Sequence, residues 1–403
     1  MKFSDVLNRH YRAVVIGAGQ AGLAAAHELH RRGLRPGPDG DFLVLDANDG
    51  PGGAWRHRWD SLTLGRAHGI ADLPGLPMPH PDPAAPAAAL VADYYGGYED
   101  EFHLAVVRPA PVSSVEAVDP DPASPLRITA GTAGAGDGAH ELTADIVLNA
   151  TGTWDNPYIP YVPGIGDFRG RQLHTKDYRR KEDFSGLRTL VVGGGLSAVQ
   201  FLLELAPATE TVWATRRPPN FTGREFDAGW GLAVERAVRE RTHAGRAAAS
   251  VVRTTGIPQW SEYLDGVRDG VLVSRGMFDR VTEGGVMFGA ADRTRTEGLG
   301  PSRSRQLQVP ASWDPLPAGT ALEVDVIFWN TGFRPSLRHL APLKLREPGG
   351  GVRMADEVTP ARDARILLVG YGSTASTVGA TRAGRLAGRR AARHLEQKVV
   401  SAA

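Results

Sequence analysis

Val14-Val15-Ile16-Gly17-Ala18-Gly19-Gln20-Ala21-Gly22 is the stretch on which the fold turns. A short β-branched run that stops at glycine predicts a buried strand. Leu23 to Arg32 follows at helical spacing and halts at Gly33, and Phe42-Leu43-Val44-Leu45-Asp46 supplies a second strand, so the chain opens with a βαβ unit. The turn fits G-x-G-x-x-G. Gly17 permits the tight turn, Gly19 lets backbone approach a pyrophosphate, and Gly22 lets helix and strand pack closely, with Gln20 and Ala21 between them. The helix start offers unpaired N–H groups to phosphate, and Asp46 closes the second strand where an acid bonds ribose hydroxyls.

The phrase returns later. Thr189-Leu190-Val191-Val192 runs into Gly193-Gly194-Gly195-Leu196-Ser197-Ala198, with alanine in the third packing position. The strand after it, Thr211 to Thr215, ends in Arg216-Arg217 where the first copy has Asp46. Two guanidinium groups in place of an acid favour a ribose carrying a 2′-phosphate, so one site is expected to hold FAD and the other NADPH. A second pair of phrases matches as well: Ile146 to Ala150 followed by Thr151-Gly152, and Val326 to Asn330 followed by Thr331-Gly332. The order turn, Thr-Gly, turn, Thr-Gly predicts an α/β fold of two nested Rossmann-like dinucleotide-binding domains. The boundaries expected are 1–175 and 321–403 for an FAD domain and 176–320 for the NADPH domain that interrupts it.

Composition narrows the chemistry. The 403 residues suit two to three domains, and 46 Lys and Arg against 45 Asp and Glu leave no global field for nucleic acid. Cysteine is absent, which removes disulfide, thiol, iron–sulfur and Cys-zinc chemistry, and no metal is expected. No apolar run approaches the ~20 residues that span a bilayer. Met1 to Arg12 is polar and lacks a signal-peptide pattern, so a cytoplasmic protein without membrane contact is expected. The proline-rich stretch Ala71 to Ala89 reads as an extended surface loop, Gly131 to His140 as a hairpin turn, and Asp292 to Arg305 as a polar loop. Ser376 to Gln397 reads as a helix, with Arg389, Arg390 and Arg393 late in it, suited to the negative end of its dipole. The segment 218–308, which carries Arg224, Trp230, Arg236 and Trp260, is expected to line a substrate mouth or to form a homodimer contact.

Phe168-Arg169-Gly170-Arg171-Gln172-Leu173-His174, continuing to Tyr178-Arg179, fits F-x-G-x-x-x-H-x-x-x-Y, and Gly52-Gly53-Ala54-Trp55 precedes Asp60-Ser61-Leu62. With these motifs most of the chain resembles the class B flavin-dependent monooxygenases. The resemblance implies that Gly53 and Trp55 lie along the flavin, that Thr151, Gly152, Thr331 and Gly332 form two interdomain crossings, and that Gly372 brings the last helix to the isoalloxazine. His174, in the linker between the two sites, is a catalytic candidate, with cofactor positioning as its other role. The parent family carries an asparagine after G-G-x-W. Leu62 to His68 has none, which is closer to the plant YUCCA-type and small bacterial members and makes Arg66 or His68 the candidate substitute.

The resemblance implies an NADPH-reduced FAD that reacts with O2 to give a C4a-(hydro)peroxide and passes one oxygen atom to a small organic substrate. The Tyr178-Arg179 ending resembles the branch that oxygenates nitrogen or sulfur. The high glycine, alanine and arginine content suits a GC-rich bacterial source and a biosynthetic tailoring role. Two alternatives stay open: a Baeyer–Villiger enzyme acting on a ketone, and a non-oxygenating flavoprotein or redox sensor.

Overall fold

The computed structural model describes residues 6, 8–67, 70–79, 82–131, 140–223, 236, 238–248, 256–289 and 307–402. The chain divides into two units, Met1–Asp155 with Glu235–Ala249 and Pro335–Ala403, and Asn156–Val234 with Ser250–Arg334. The outer divisions fall at 155/156 and 334/335 where 175/176 and 320/321 were expected, and the interrupting unit is itself broken by Glu235–Ala249, which the sequence reading did not foresee. The reason for the outer divisions is strand pairing. Arg171–His174 and Val326–Trp329 lie side by side in one parallel sheet, so both go with the second unit.

In the first unit β1 (His10–Ile16), α1 (Gln20–Arg31), β2 (Phe42–Leu45), α2 (Ala87–Glu101), β3 (Val106–Val107), β4 (Val112–Ala117), β5 (Leu126–Ala130) and β6 (His140–Asn149) follow in order. The sheet runs β3-β2-β1-β6-β5-β4, with β1, β2, β3 and β6 parallel and the β4-β5-β6 meander antiparallel. β6 is long because its two ends serve different neighbours. Its first half pairs with β5, and its last three residues pair in parallel with a late strand, Ile366–Leu368. β1 is buried on both faces, with Ala13 and Val15 in one core and Val14 and Ile16 in the other. That is why it reads as an unbroken apolar run.

The proline-rich stretch ends sooner than its composition suggests. Pro86 is the N-cap of α2, and Ala87–Glu101 is helical, because a proline before the first turn removes only an N–H with no partner to lose. Nor is the loop all surface. Leu73 and Met78 are buried, the Tyr94 hydroxyl accepts the Leu73 N–H (2.7 Å) and donates to the Leu76 carbonyl (2.5 Å), and Tyr98 donates to Pro74 (2.7 Å). The tip of the Gly131–His140 turn, at 132–139, and the Asp292–Arg305 loop lie outside the described residues. The strands flanking the turn do pair antiparallel, Ala130 opposite His140.

The second unit holds β7 (Arg171–His174), β8 (Arg188–Val192), α3 (Leu196–Leu205), β9 (Glu210–Ala214), β10 (Phe221–Thr222), β11 (Ile257–Pro258), α4 (Ser261–Arg268), β12 (Phe278–Thr282), β13 (Gly285–Phe288), β14 (Ala321–Glu323) and β15 (Val326–Trp329). Its main sheet, β7-β15-β8-β9, is parallel throughout, and β12-β13-β14 form an antiparallel sheet.

The chain ends in the first unit with α5 (Thr377–Ala402). It runs past the expected Gln397, so Arg389, Arg390 and Arg393 lie mid-helix and do not serve its C-terminal dipole; Arg390 instead pairs with Asp356 at 3.1 Å. α5 packs on α1 at backbone distance. A Cβ on Gly388 would stand 2.7 Å from Glu28 Cβ, and one on Gly384 would stand 2.9 Å from Ala24 Cβ. Gln20 Nε2 donates to Thr381 Oγ1 at 2.7 Å, tying the start of α1 to the same helix. No helix among the described residues is long and apolar enough to cross a membrane.

Candidate functional site

The first glycine turn is built around one backbone contact. Gly17 has φ +99°, and a Cβ there would lie 2.5 Å from the Ala150 carbonyl oxygen, so only glycine fits where β1 passes the end of β6. A Cβ on Gly22 would collide with the Gly17 carbonyl. Gly19 differs. A Cβ added to it meets nothing nearer than Gly53 Cα at 3.9 Å, so its face is open. Gly19 is the N-cap of α1 and carries no side-chain cap, leaving the N–H groups of the first turn directed at that space. Ala21 lies in this first turn, and Gly53 approaches Gly19 backbone to backbone, a Cβ on Gly53 standing 2.8 Å from Gly19 Cα.

Asp46 is buried at the end of β2 and already engaged. Its Oδ2 accepts from Arg108 Nε at 2.8 Å and its Oδ1 from Asn48 Nδ2 at 3.1 Å. Arg108 is held in turn by both oxygens of Glu99, at 2.5 and 2.7 Å. These two donors hold the carboxylate in one orientation and leave it further lone pairs. Asn48 Oδ1 accepts from His57 Nε2 at 2.6 Å, which carries the network on to the 3₁₀ turn Trp55–His57.

The second turn repeats the first in detail. Gly193 has φ +144°, and its hydrogen faces the Asn330 carbonyl, the counterpart of Ala150 one residue before Thr-Gly. Gly195 is extended ahead of α3, Ser197 sits in the first helical turn, and Ala198 is fully buried, as the packing position requires. Beyond β9 the chain is fastened by Thr215, which donates to the Arg217 carbonyl at 2.6 Å, and both Arg216 and Arg217 are exposed. Each Thr-Gly phrase is bonded within its own unit. Thr151 Oγ1 donates to the Ser336 carbonyl at 2.7 Å and Ser336 N donates to Gly152 O at 3.0 Å. Thr331 Oγ1 donates to the Tyr158 carbonyl, and Tyr158 N to Gly332 O at 2.9 Å.

Both ring nitrogens of His174 are bonded to backbone. Its Nδ1 accepts the Lys176 N–H at 3.3 Å, so Nε2 carries the proton and donates to the Gly332 carbonyl at 3.0 Å. Its ring stands edge-on to Phe333 with 4.8 Å between ring centres, and burial pushes the imidazole below the ordinary histidine value. Through Nε2 it pins the end of β7 to Gly332. Arg66 is exposed at the end of the 3₁₀ turn Leu64–Arg66, and His68, Arg224 and Trp230 lie outside the described residues. Gly372, at φ +62°, opens a turn whose Cβ position would be 2.7 Å from Thr242 Cγ2. Among the described residues no group of His, Asp or Glu side chains could hold a metal.

One enclosed cation was not singled out by the sequence. Arg58 Cζ stands 4.3 Å from the centre of the Trp154 ring, 5.7 Å from Trp55 and 5.8 Å from Trp59, and burial pushes its guanidinium down to about 10. Tryptophans flanking an arginine at 55 and 59 were visible beforehand, but nothing marked Trp154 as the third wall.

The family model of the pyridine nucleotide-disulphide oxidoreductases matches residues 14–233. The chain is 34% identical over 196 residues to the indole-3-pyruvate monooxygenase YUCCA1 of Oryza sativa subsp. japonica, a match covering 48% of this chain and 44% of the rice protein. It is 28% identical over 274 residues to a Baeyer-Villiger monooxygenase of Streptomyces coelicolor, covering 64% of this chain and 48% of that protein. The chain thus spans about half the length of these two relatives. A flavin-containing monooxygenase from Stenotrophomonas maltophilia superposes with a TM-score of 0.72 at 30% identity, over 96% of this chain and 99% of the other. Having no cysteine, the chain shares the oxidoreductase frame without the thiols of a disulphide reductase. It belongs to the class B flavin-dependent monooxygenases of that family.

Proposed function

We propose that this protein is an FAD- and NADPH-dependent monooxygenase that transfers one oxygen atom to nitrogen or sulfur of a small organic substrate. The observation that carries the reading is the repeated turn: Gly17 against Ala150 and Gly193 against Asn330, each followed by a helix whose N-terminus has no side-chain cap, with an acid after one second strand and two arginines after the other. The donor set fits both nucleotides. Gly19 and the uncapped N–H groups of α1 would hold the FAD pyrophosphate, and Asp46 the ribose. Gly195 with the start of α3 would hold the NADPH pyrophosphate, and Arg216 and Arg217 its 2′-phosphate. Bound FAD supplies hydride acceptance and the activation of dioxygen. The chain's own part is orientation: Arg108 fixes Asp46, and His174 fixes Gly332.

The net reaction is substrate, O2, NADPH and a proton to oxygenated substrate, NADP⁺ and water. The 28% relative in Streptomyces coelicolor keeps oxygen insertion into a ketone as the second reading. A panel of amines, thioethers, α-keto acids and cyclic ketones, run with NADPH under oxygen-18 gas, separates the two. N-oxide or sulfoxide carrying one labelled atom per NADPH is the expected product. Lactones or esters alone would move the assignment to the ketone branch, and hydrogen peroxide alone would remove oxygen transfer altogether.

A further inference from the structure

Strand register identifies the counterpart of Asp46 in the second unit. In the first unit Ile16 stands opposite Leu45 and Gly17 N donates to the Leu45 carbonyl at 2.7 Å, which makes Asp46 the first residue past β2. In the second, Val192 stands opposite Ala214 and Gly193 N donates to the Ala214 carbonyl at 3.0 Å, which makes Thr215 the first residue past β9. The outer edges agree as well: Asp46 N donates to Val107 O at 3.0 Å, and Thr215 N to Gly276 O at 2.9 Å. Thr215 therefore holds the acid's place, and Arg216 stands one residue beyond it. An uncharged side chain there removes the carboxylate that would repel a 2′-phosphate.

Thr215 also shapes the chain that follows. Its side chain lies against the glycine turn, where a Cβ on Gly194 would stand 3.8 Å from Thr215 Cγ2. Its Oγ1 is 2.6 Å from the Arg217 carbonyl and 2.7 Å from Ser274 Oγ. A carbonyl only accepts, so the one proton of Thr215 goes to Arg217 and Ser274 donates to Thr215. Thr215 is buried and Ser274 fully so, and Ser274 is fixed by backbone bonds, its N–H to Ser312 O at 2.8 Å and its carbonyl from Asp314 N at 3.0 Å. The two exposed arginines are thus tied at one end to this hydroxyl pair and run at the other into the buried Pro218 and Pro219. Exposed arginines on a free loop would spend most of a phosphate contact on ordering the loop; a loop already held spends less.

We propose that the hydrogen-bond chain from Ser274 through Thr215 to the Arg217 carbonyl positions Arg216 and Arg217 for a 2′-phosphate, which makes Thr215 and Ser274 specificity-determining residues of the second nucleotide site. These roles rest on the NADPH reading of that site. The probes isolate the one group at issue: adenosine 2′,5′-bisphosphate and adenosine 5′-monophosphate, titrated by calorimetry into the flavin-loaded protein. The parent is expected to prefer the bisphosphate by at least roughly tenfold. Thr215→Val keeps the shape and removes both bonds, and should weaken the bisphosphate by roughly threefold to tenfold while leaving the monophosphate within about twofold. Thr215→Ser, which keeps the hydroxyl, should keep the preference. Ser274→Ala should act in the same direction as Thr215→Val, and the two together should lose no more than Thr215→Val alone, because Ser274 acts through Thr215.

An unchanged preference in Thr215→Val would overturn the proposal, and so would an equal loss for both nucleotides, which is what a purely structural pair would give. Additive losses in the double variant would take Ser274 out of the chain. The NADPH reading fails separately: a parent without preference for the bisphosphate would remove it and the proposal together. A preference lost in Arg216→Ala with Arg217→Ala but kept in Thr215→Val would leave that reading standing and remove the positioning role alone.

Discussion

His339 shows how one buried side chain makes the fold sensitive to acid. It is enclosed beside β6, its Nε2 donates to Asn149 Oδ1 at 2.6 Å, and burial pushes its pKa to about 4 from an ordinary 6.5. The unfolded chain takes up the proton first as pH falls, so the stability due to neutral His339 is complete above pH 6.5 and drains away toward 4. The shift corresponds to about 3 kcal/mol. Urea midpoints measured at about pH 7.5 and about pH 4.5 should fall less steeply in His339→Gln than in the parent; identical slopes would count against it. At the cofactor sites, Gly19→Asp would place a side chain and a negative charge in the open face of the first turn, and the purified variant should lack FAD. Arg216→Ala with Arg217→Ala should weaken NADPH by roughly tenfold to a hundredfold and leave NADH nearly unaffected, as equilibrium titrations would record. At this scale the sequence was legible where a residue's role is set by its neighbours along the chain: Gly17, Gly19, Gly22 and Gly193 stand where the motif puts them. His174 stood out in its motif but not its partner Gly332, and Arg58 did not stand out at all, because Gly332 and Trp154 come from segments far away in sequence.

Among the elements, strands buried on both faces and ended by glycine were plain in the sequence, because burial on both sides leaves a continuous apolar run. α2 was hidden by the prolines before it, although its tyrosines hold that proline-rich loop in place. α5 was visible as a helix, but its end was misplaced by five residues, since basic residues in mid-helix resemble a terminal cluster. Its contact with α1 depends on Gly384 and Gly388, where the two backbones come within reach of a single methyl group. Gly388→Leu would drive a side chain into Glu28, which is buried and bonded to both Arg31 and Arg32. The expected cost is about 1–3 kcal/mol or more, read as a lower thermal midpoint, with FAD released early in the transition because α1 carries the first turn. A variant as stable as the parent would show that the helices can part without consequence.

For the whole chain, the duplication accounts for the order of the motifs and for the passages near 155 and 334, but not for the return of Glu235–Ala249 to the first unit in between. The domain boundaries were set too late and too early by the sequence because a Thr-Gly phrase marks the end of a strand without saying which sheet that strand joins; the register of Val326–Trp329 between Arg171–His174 and Arg188–Val192 decides it. What the account claims of the whole is that one turn holds a flavin and the other feeds it hydride. The most direct test is the visible flavin absorbance of the purified protein, followed without oxygen as reduced nucleotide is added. The account predicts an oxidised FAD band that NADPH bleaches quickly and NADH slowly, with Arg216→Ala and Arg217→Ala together removing the difference. A protein without flavin, or a flavin band that NADPH leaves untouched, would contradict it.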